Sequence, residues 1–232
     1  MKIGLLTVAH KRPEVSKAYC LMVDRLMKDY PDIFLPVCAV SLQEDFDIFN
    51  SHGIETYIFP NDPVGAKHNF ILGKLRDRVT HVLHLGSDDL INNNYVDELI
   101  KNAKNDLVWG VGLYFLSLRT GQARFWDMPY RNVAGPAKLI SKRVLKAVDW
   151  KIWNDRLNKG LDHSCFSILE PHIKSRHIFQ ITDVNGLMVD IKGSYNINPF
   201  ETFLRVGKEV DREHIYNKLP AAEVEYLKSI CN

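Results

Sequence analysis

The chain has 232 residues, 46% of them hydrophobic and 25% charged, a composition typical of a globular protein that buries a full core. Its formal net charge of +2 is too small to indicate a nucleic-acid or membrane partner, and no apolar run approaches the roughly 20 residues that a membrane span needs. The short apolar N-terminus lacks a signal-peptide cleavage site and the four cysteines form no Cys-x-x-Cys pair, so we expect a cytoplasmic protein with reduced thiols.

The first hundred residues alternate between predicted strands and helices. Apolar runs of strand length indicate the strands, and apolar residues at helical spacing indicate the helices. The predicted strands are Lys2–Ala9, Ile33–Val40, Glu55–Phe59 and His81–Leu85, and the predicted helices are Glu14–Lys28, Leu42–His52 and Ala66–Leu75, with another helix able to start at Asn92-Asn93-Asn94. This alternation favours a parallel, doubly wound α/β sheet.

The pattern changes after about residue 105. Leu107–Leu118 alternates and is rich in β-forming residues, and Gln122–Trp126 is its predicted hairpin partner. Further on we predict helices at Ala137–Val148 and Asp162–Leu169, strands at His177–Thr182 and Leu187–Ile191, and a helical, charged tail from Asp211. No linker or repeat separates the halves, so we expect one α/β domain with a mixed, mostly parallel central sheet flanked by helices.

The segment His81–Leu90 carries the strongest functional signal. Its apolar strand ends in Gly86-Ser87 and then presents two adjacent carboxylates, Asp88 and Asp89. Open α/β sheets bind ligands at the carboxyl ends of their strands. Carboxylates there suit a hard divalent cation that also holds a diphosphate. The alternative is a solvated acidic turn in which an Asp caps the next helix.

The order of several local motifs resembles the GT-A glycosyltransferases, most closely the family-2-like members of the nucleotide-diphospho-sugar transferase superfamily. The motifs are Thr7–Arg12, a strand ending in a basic turn; Gly65-Ala66-Lys67-His68-Asn69, similar to Gly-x-(Arg/Lys)-x-Asn; Ser87-Asp88-Asp89, at the family's Asp-x-Asp position; and, more loosely, Gly135–Ser141 and Gly160-Leu161-Asp162 on the acceptor side. The resemblance implies one GT-A (Rossmann-like) domain over 1–232. Its residues 1–104 would bind the nucleotide sugar and its residues 105–232 the acceptor.

The same resemblance implies a donor, a metal ion and their ligands. The donor would be a nucleoside diphosphate sugar, a UDP-sugar before others, held with Mn²⁺ or Mg²⁺. Because Ser87 stands where the family has its first acid, the metal would bind mainly Asp89, with Asp88 assisting or reaching the sugar. Asp190 could add a metal ligand, although we interpret it first as a turn residue.

Five further residues are candidates for binding the donor. His10 and Arg12 follow the first strand, where a nucleotide base would lie, with solvated loop charges as the alternative. Lys67 lies near the start of a predicted helix, where a cation opposes the helix dipole. Binding to a diphosphate would explain a lysine at this position. The alternative is a lysine on the surface of an amphipathic helix. Asn69 is a candidate ligand for nucleotide or sugar, or else an ordinary helix-start residue. Lys192 is our candidate for a contact with the diphosphate from a loop late in the chain.

Asp162 is the candidate catalytic base. In an inverting transfer a carboxylate accepts the proton of the attacking hydroxyl. Because Asp162 opens a predicted helix, it could equally be the N-cap of that helix. A retaining enzyme would need no such base, and the sequence does not decide the stereochemistry.

The main prediction is therefore a metal-dependent glycosyltransferase acting on a hydroxyl acceptor. A nucleotidyltransferase that makes sugar nucleotides is one alternative, although the Gly-rich phosphate loop of that class is absent from the first turn. An inactive nucleotide-sugar-binding module is the other. The acceptor would be a saccharide or, less favoured, a modified base in nucleic acid. Aromatic residues that could line an acceptor platform are Trp126, Tyr130, Trp150 and Trp153.

Overall fold

Four parallel strands from the first hundred residues form the centre of the larger sheet. The computed structural model describes residues 1–129, 136–193, 196 and 198–231. The four strands are β1 (Ile3–Val8), β2 (Phe34–Val40), β3 (Glu55–Ile58) and β4 (His81–His84), and the helices that connect them are α1 (Pro13–Asp29), α2 (Gln43–Ser51) and α3 (Val64–Lys74). β1 pairs in parallel with both β2 and β4, and β2 pairs with β3. The predicted strand-helix alternation is confirmed.

The rest of the chain adds strands to this sheet and builds a second one. Its elements are β5 (Asp89–Ile91), α4 (Asn93–Lys101), β6 (Leu107–Val111), β7 (Leu113–Ser117), β8 (Ala123–Trp126), β9 (Lys138–Ser141), α5 (Lys142–Ala147), α6 (Leu161–Leu169), β10 (Arg176–Gln180), β11 (Met188–Lys192), β12 (Lys208–Val210), α7 (Glu213–Tyr216) and α8 (Ala221–Ile230), with short 3-10 helices at Glu170–His172 and Phe200–Arg205. The helix predicted to start near Asn92 is α4, and the side chain of Asn92 caps it by accepting from the Tyr95 amide.

The seven strands described in the larger sheet follow the order β10-β6-β9-β4-β1-β2-β3. β9 pairs antiparallel with both β4 and β6, whereas β10 and β6 pair in parallel. The predicted helix over Ala137–Val148 is therefore wrong in its first part, because Leu139 and Ile140 are buried between two strands of the sheet. The helix begins only after Ser141, whose Oγ accepts from the Val144 amide. Gly135 of the loosely matching motif lies outside the described residues.

The five strands described in the smaller sheet follow the order β12-β8-β7-β11-β5. The single strand predicted over Leu107–Leu118 is broken at Gly112, where φ is +99°, so that β6 stays in the larger sheet and β7 enters the smaller one. Because that φ favours glycine, the residue lets the chain change sheets. The predicted hairpin between β7 and β8 is confirmed.

Both sheets share one continuous apolar core, and helices flank the larger sheet. The fold class predicted from the sequence, an α/β domain with a mixed, mostly parallel central sheet, is confirmed. Over the described parts of the chain, no helix combines the length and the apolar character needed to cross a membrane.

Candidate active site

A cavity of about 530 Å³ opens at the carboxyl ends of β1 and β4. This volume is in the range of small-molecule sites. Six of the eight residues predicted from the sequence line it, namely His10, Arg12, Asp88, Asp89, Asp162 and Lys192. The other two, Lys67 and Asn69, lie behind its wall. The cavity therefore combines residues from both halves of the chain.

Three carboxylates meet in the middle of this cavity. Asp88 lies in the turn after β4, Asp89 is the first residue of β5, and Asp190 lies on β11 directly opposite Asp89 in the antiparallel ladder. One oxygen of each lies within 4.8 Å of the others. The interpretation of Asp190 as a turn residue is wrong, since strand pairing with β5 brings it into the cluster.

Burial and mutual repulsion make these carboxylates difficult to ionise together. Burial, then the charges of Asp88 and Asp190, raises the pKa of Asp89 well above its usual range. Burial also raises the pKa of Asp190, to about 7. Within the described structure, Oδ1 of Asp190 and Oγ of Ser87 are buried without a hydrogen-bond partner. A divalent cation would relieve the repulsion and use the free oxygen, so the cluster fits Mg²⁺ or Mn²⁺.

Two cationic side chains flank the carboxylates. Arg12 Nη1 lies 2.7 Å from Asp88 Oδ2, and Lys192 Nζ lies 2.5 Å from Asp190 Oδ2. The Nδ2 group of Asn196 also donates to Asp88 Oδ2, at 2.6 Å. Lys192 is buried, with its Nζ 4.8 Å from the centre of the Phe203 ring. Both cations line the cavity, where they could contact the phosphates of a ligand.

Lys67 has a different environment from the one that its motif implies. Its side chain is fully buried, and Nζ donates to Ala9 O at 2.7 Å, to Ser41 Oγ at 2.7 Å and to Asn61 Oδ1 at 3.2 Å. Burial lowers its pKa to about 8. Because all three ammonium hydrogens have acceptors, a direct contact with a diphosphate would require Lys67 to leave these bonds. The surface-lysine alternative is excluded by the same burial.

Asn69 and Gly65 on α3 contact residues 152–155, in the segment that precedes α6. Asn69 Nδ2 donates to Trp153 O and to Asp155 Oδ1, both at 2.7 Å, and its Oδ1 accepts from two backbone amides of the same segment. A Cβ atom on Gly65 would lie 2.1 Å from the carbonyl oxygen of Asn154. Asn69 is thus fully occupied by structural bonds, in the middle of α3 and not at its start, and has no group left for a ligand.

Asp162 also lines the cavity. The N-cap of α6 is Gly160, with φ of +70°, so the alternative that Asp162 is itself the cap is wrong. Asp162 lies in the first turn, and its Oδ1 is 4.0 Å from Lys138 Nζ. Of the aromatic candidates, Trp126 lines the cavity, Trp150 and Trp153 are buried in the core, and Tyr130 lies outside the described residues.

Two histidines and an asparagine of the cavity were not predicted. His68 and His84 line it and pack against Trp153, with ring centres 4.7 and 4.9 Å from the indole. Burial lowers the pKa of His68 to about 4 and that of His84 well below its usual value, so both are neutral at pH 7. Asn61 lies in the loop after β3. The sequence gives only a weak signal for these residues, which is a polar side chain next to an apolar run. The clearest example is His84, which directly follows Leu83.

Comparison with known proteins gives similarity at the level of structure. No protein-family model and no curated protein matches the chain. A solved structure of the inositol-1-phosphate CTP transferase from T. maritima matches with a TM-score of 0.50 and 13% identity, covering 98% of this chain and 95% of that one. The likeness is one of fold. A Bacillus anthracis protein described as a glucose-1-phosphate thymidylyltransferase, in complex with a sucrose, matches at 0.48 and 11%, covering 88% and 93%. The description of the T. maritima protein names nucleotidyl transfer, the class of the alternative function, and not glycosyl transfer.

Proposed function

We propose that the chain is a metal-dependent glycosyltransferase that moves a sugar from a nucleoside diphosphate donor to an acceptor hydroxyl. The observation that carries the proposal is the meeting of Asp88, Asp89 and Asp190 in one cavity, flanked by Arg12 and Lys192. A diphosphate needs both kinds of group, since its oxygens bind cationic side chains and share a metal ion with carboxylates. A bound Mn²⁺ or Mg²⁺ supplies charge neutralisation and Lewis acidity for the departing diphosphate.

The side chains divide the remaining work. Arg12 and Lys192 exchange their carboxylate partners for phosphate oxygens when the donor binds. Asp162 accepts the proton of the acceptor hydroxyl as that oxygen attacks the anomeric carbon. Residues 1–104 bind the nucleotide sugar and residues 105–232 the acceptor, except that Asp190 and Lys192 of the second half serve the diphosphate. The acceptor is a saccharide, or, as a less favoured choice, a modified base in nucleic acid.

The turn between β1 and α1 favours glycosyl over nucleotidyl transfer. It consists of Ala9, His10, Lys11 and Arg12, the residues between the end of β1 at Val8 and the start of α1 at Pro13. None of them is a glycine. Enzymes that bind a nucleoside triphosphate commonly wrap it in a Gly-rich loop whose backbone amides face the phosphates. A turn this short suits a diphosphate whose charge is met by side chains and a metal ion.

Nucleotidyl transfer is the second candidate, and the fold favours it. The chain matches the inositol-1-phosphate CTP transferase over 98% of its length. The carboxylate cluster could hold the metal ion that such a reaction uses. In that case the bond at the α-phosphorus would be broken, and not the bond at the anomeric carbon.

One product analysis separates the two candidates. The protein is incubated with Mn²⁺ and UDP-, GDP- or TDP-sugars, with and without pyrophosphate. Glycosyl transfer or hydrolysis breaks the bond between the anomeric carbon and oxygen and releases a nucleoside diphosphate. Nucleotidyl transfer run backwards lets pyrophosphate attack the α-phosphorus, giving a nucleoside triphosphate and a sugar 1-phosphate. A protein that forms neither product from any donor is a binding module, and the proposal is then wrong.

A further inference from the structure

The ammonium group of Lys67 joins the carboxyl ends of three neighbouring strands. Its acceptors are Ala9, which follows β1, Ser41, which follows β2, and Asn61, in the loop after β3. In the larger sheet β1, β2 and β3 are neighbours in that order, and β4 and β9 lie on the other side of β1. Lys67 therefore fixes the walls of the end of the cavity that lies away from Asp162.

This contact also fixes the orientation of the Asn61 amide. An ammonium group only donates hydrogen bonds, so the oxygen of the amide must face Lys67. The Nδ2 group then points away from Lys67, and Asn61 lines the cavity. No residue in the described ranges accepts a hydrogen bond from Nδ2. This end of the cavity thus presents a hydrogen-bond donor whose direction is set by a buried cation.

His10 provides a second polar group at the same end. Burial, followed by the charge of Lys67, lowers the pKa of His10, so its ring is neutral at pH 7. Its Nδ1 atom is buried without a hydrogen-bond partner in the described part of the chain. A neutral imidazole offers one donor and one acceptor, and its flat ring suits contact with a planar ligand.

We propose that Lys67 and Asn61 select the base of the donor nucleotide. Asn61 Nδ2 donates to the carbonyl oxygen at ring carbon 4 of uracil, so the site takes uridine diphosphate and discriminates against cytidine diphosphate. Cytosine carries an amino group at ring carbon 4, where uracil carries a carbonyl oxygen, and two donors cannot pair. The inference rests on the proposed function only in taking a nucleoside diphosphate as the ligand. Lys67 is a positioning residue in this scheme, since it acts through Asn61.

The decisive measurement is the ratio of the UDP and CDP dissociation constants, determined by calorimetry with Mn²⁺ present. We expect the parent protein to bind UDP at least tenfold more tightly, a difference of about 1.4 kcal/mol. In Asn61→Asp the carboxylate keeps an interaction with Lys67 but can only accept, so the ratio should fall at least tenfold. Equal binding of UDP and CDP by the parent, or an unchanged ratio in Asn61→Asp, would overturn the inference.

Matched variants separate base selection from general effects of charge and folding. Asn105→Asp introduces the same charge between α4 and β6, which is separated from β1 in the sheet by β9 and β4, and should keep the parental ratio. Lys67→Met should bring the ratio close to one, whereas Lys74→Met on the same helix should preserve it. If Lys67→Met does not fold, Asn61→Asp alone decides. Because no turnover is measured, a protein that selects UDP but transfers no sugar refutes the proposed function and leaves base selection intact.

Discussion

Asp89 is the residue on which the proposed metal site depends most directly. We expect Asp89→Asn to abolish metal-dependent donor hydrolysis, because the amide offers no negative charge to the cation. The fold should persist, since the Asn oxygen can still accept from the Gly86 amide that bonds to Asp89 at 2.7 Å. A carboxyl whose pKa is raised by folding destabilises the folded state at neutral pH, so the metal-free variant should melt no lower than the parent.

The measurements are Mn²⁺ calorimetry, donor hydrolysis and a thermal melt without metal. Asp183→Asn, on an exposed turn, is the control and should behave as the parent. Parental Mn²⁺-dependent activity in Asp89→Asn would mean that the cation binds elsewhere.

A catalytic role of Asp162 can be tested without removing a helix cap, because the N-cap of α6 is Gly160. With Gly160 at the N-cap, Asp162→Asn removes no cap; it removes the favourable contact of a charge with the helix dipole, worth about 0.3–1 kcal/mol, and the attraction to Lys138 Nζ at 4.0 Å. If it is the catalytic base, the transfer rate should fall by roughly 10²–10⁴-fold. UDP affinity should stay unchanged, and steady-state kinetics with calorimetry would measure both. A variant that transfers at the parental rate would exclude Asp162 as the base.

At the scale of elements, α3 holds the segment before α6 in place through Gly65. In Gly65→Ala the new Cβ would lie 2.1 Å from a backbone oxygen, which cannot move without shifting Asn154 and its neighbours. We expect a fall in melting temperature and in activity, since α6 and Asp162 follow this segment. Gly73→Ala on the same helix is the matched control. Its Cβ would meet nothing within 4 Å, so it should be neutral or stabilise by up to about 1 kcal/mol. Equal melting of the two variants would show that the segment adjusts freely.

A second link between elements is the carboxylate of Asp106, just before β6. It accepts from Arg143 Nε at 2.7 Å, from the amide of Lys174 at 2.8 Å and from that of Ser175 at 3.1 Å. The Arg143 hydrogen bonds, ahead of the others, lower its pKa to about 2. This buried carboxylate therefore ties α5 and the start of β10 to β6.

A lowered pKa makes a pH-dependent contribution to stability. The contribution is complete above the unfolded-state pKa of about 4 and is lost as the pH falls towards 2. We expect Asp106→Asn to lower the unfolding free energy by about 2 kcal/mol at pH 7, and by less at pH 3. Urea unfolding at both pH values would measure this, and a difference that does not shrink at low pH would contradict it.

At the scale of the whole molecule, the sequence predicted what local periodicity controls. The alternation of strands and helices up to β4 could be predicted because each element is long enough to show its own hydrophobic periodicity. β9 could not be predicted, because its four residues are followed directly by α5 and the two elements together have the pattern of one helix. The change of sheet at Gly112 could not be predicted because the strands on both sides of it are apolar and fully buried. In the site, Asp88 and Asp89 could be predicted, whereas the role of Asp190 depends on its pairing with β5, which no local pattern reveals.

That pairing has a consequence for how the protein assembles. Asp89 and Asp190 are 101 positions apart in the chain (190 − 89), yet they face each other across the ladder between β5 and β11. Contacts between distant positions must overcome a large loss of chain entropy before they form. A nascent chain can therefore complete the parallel strands β1 to β4 while its acidic cluster is still missing a member. The divalent-ion site that we propose would therefore form only once the second half has been synthesised and has closed onto the first, so that ion binding would report the completion of folding.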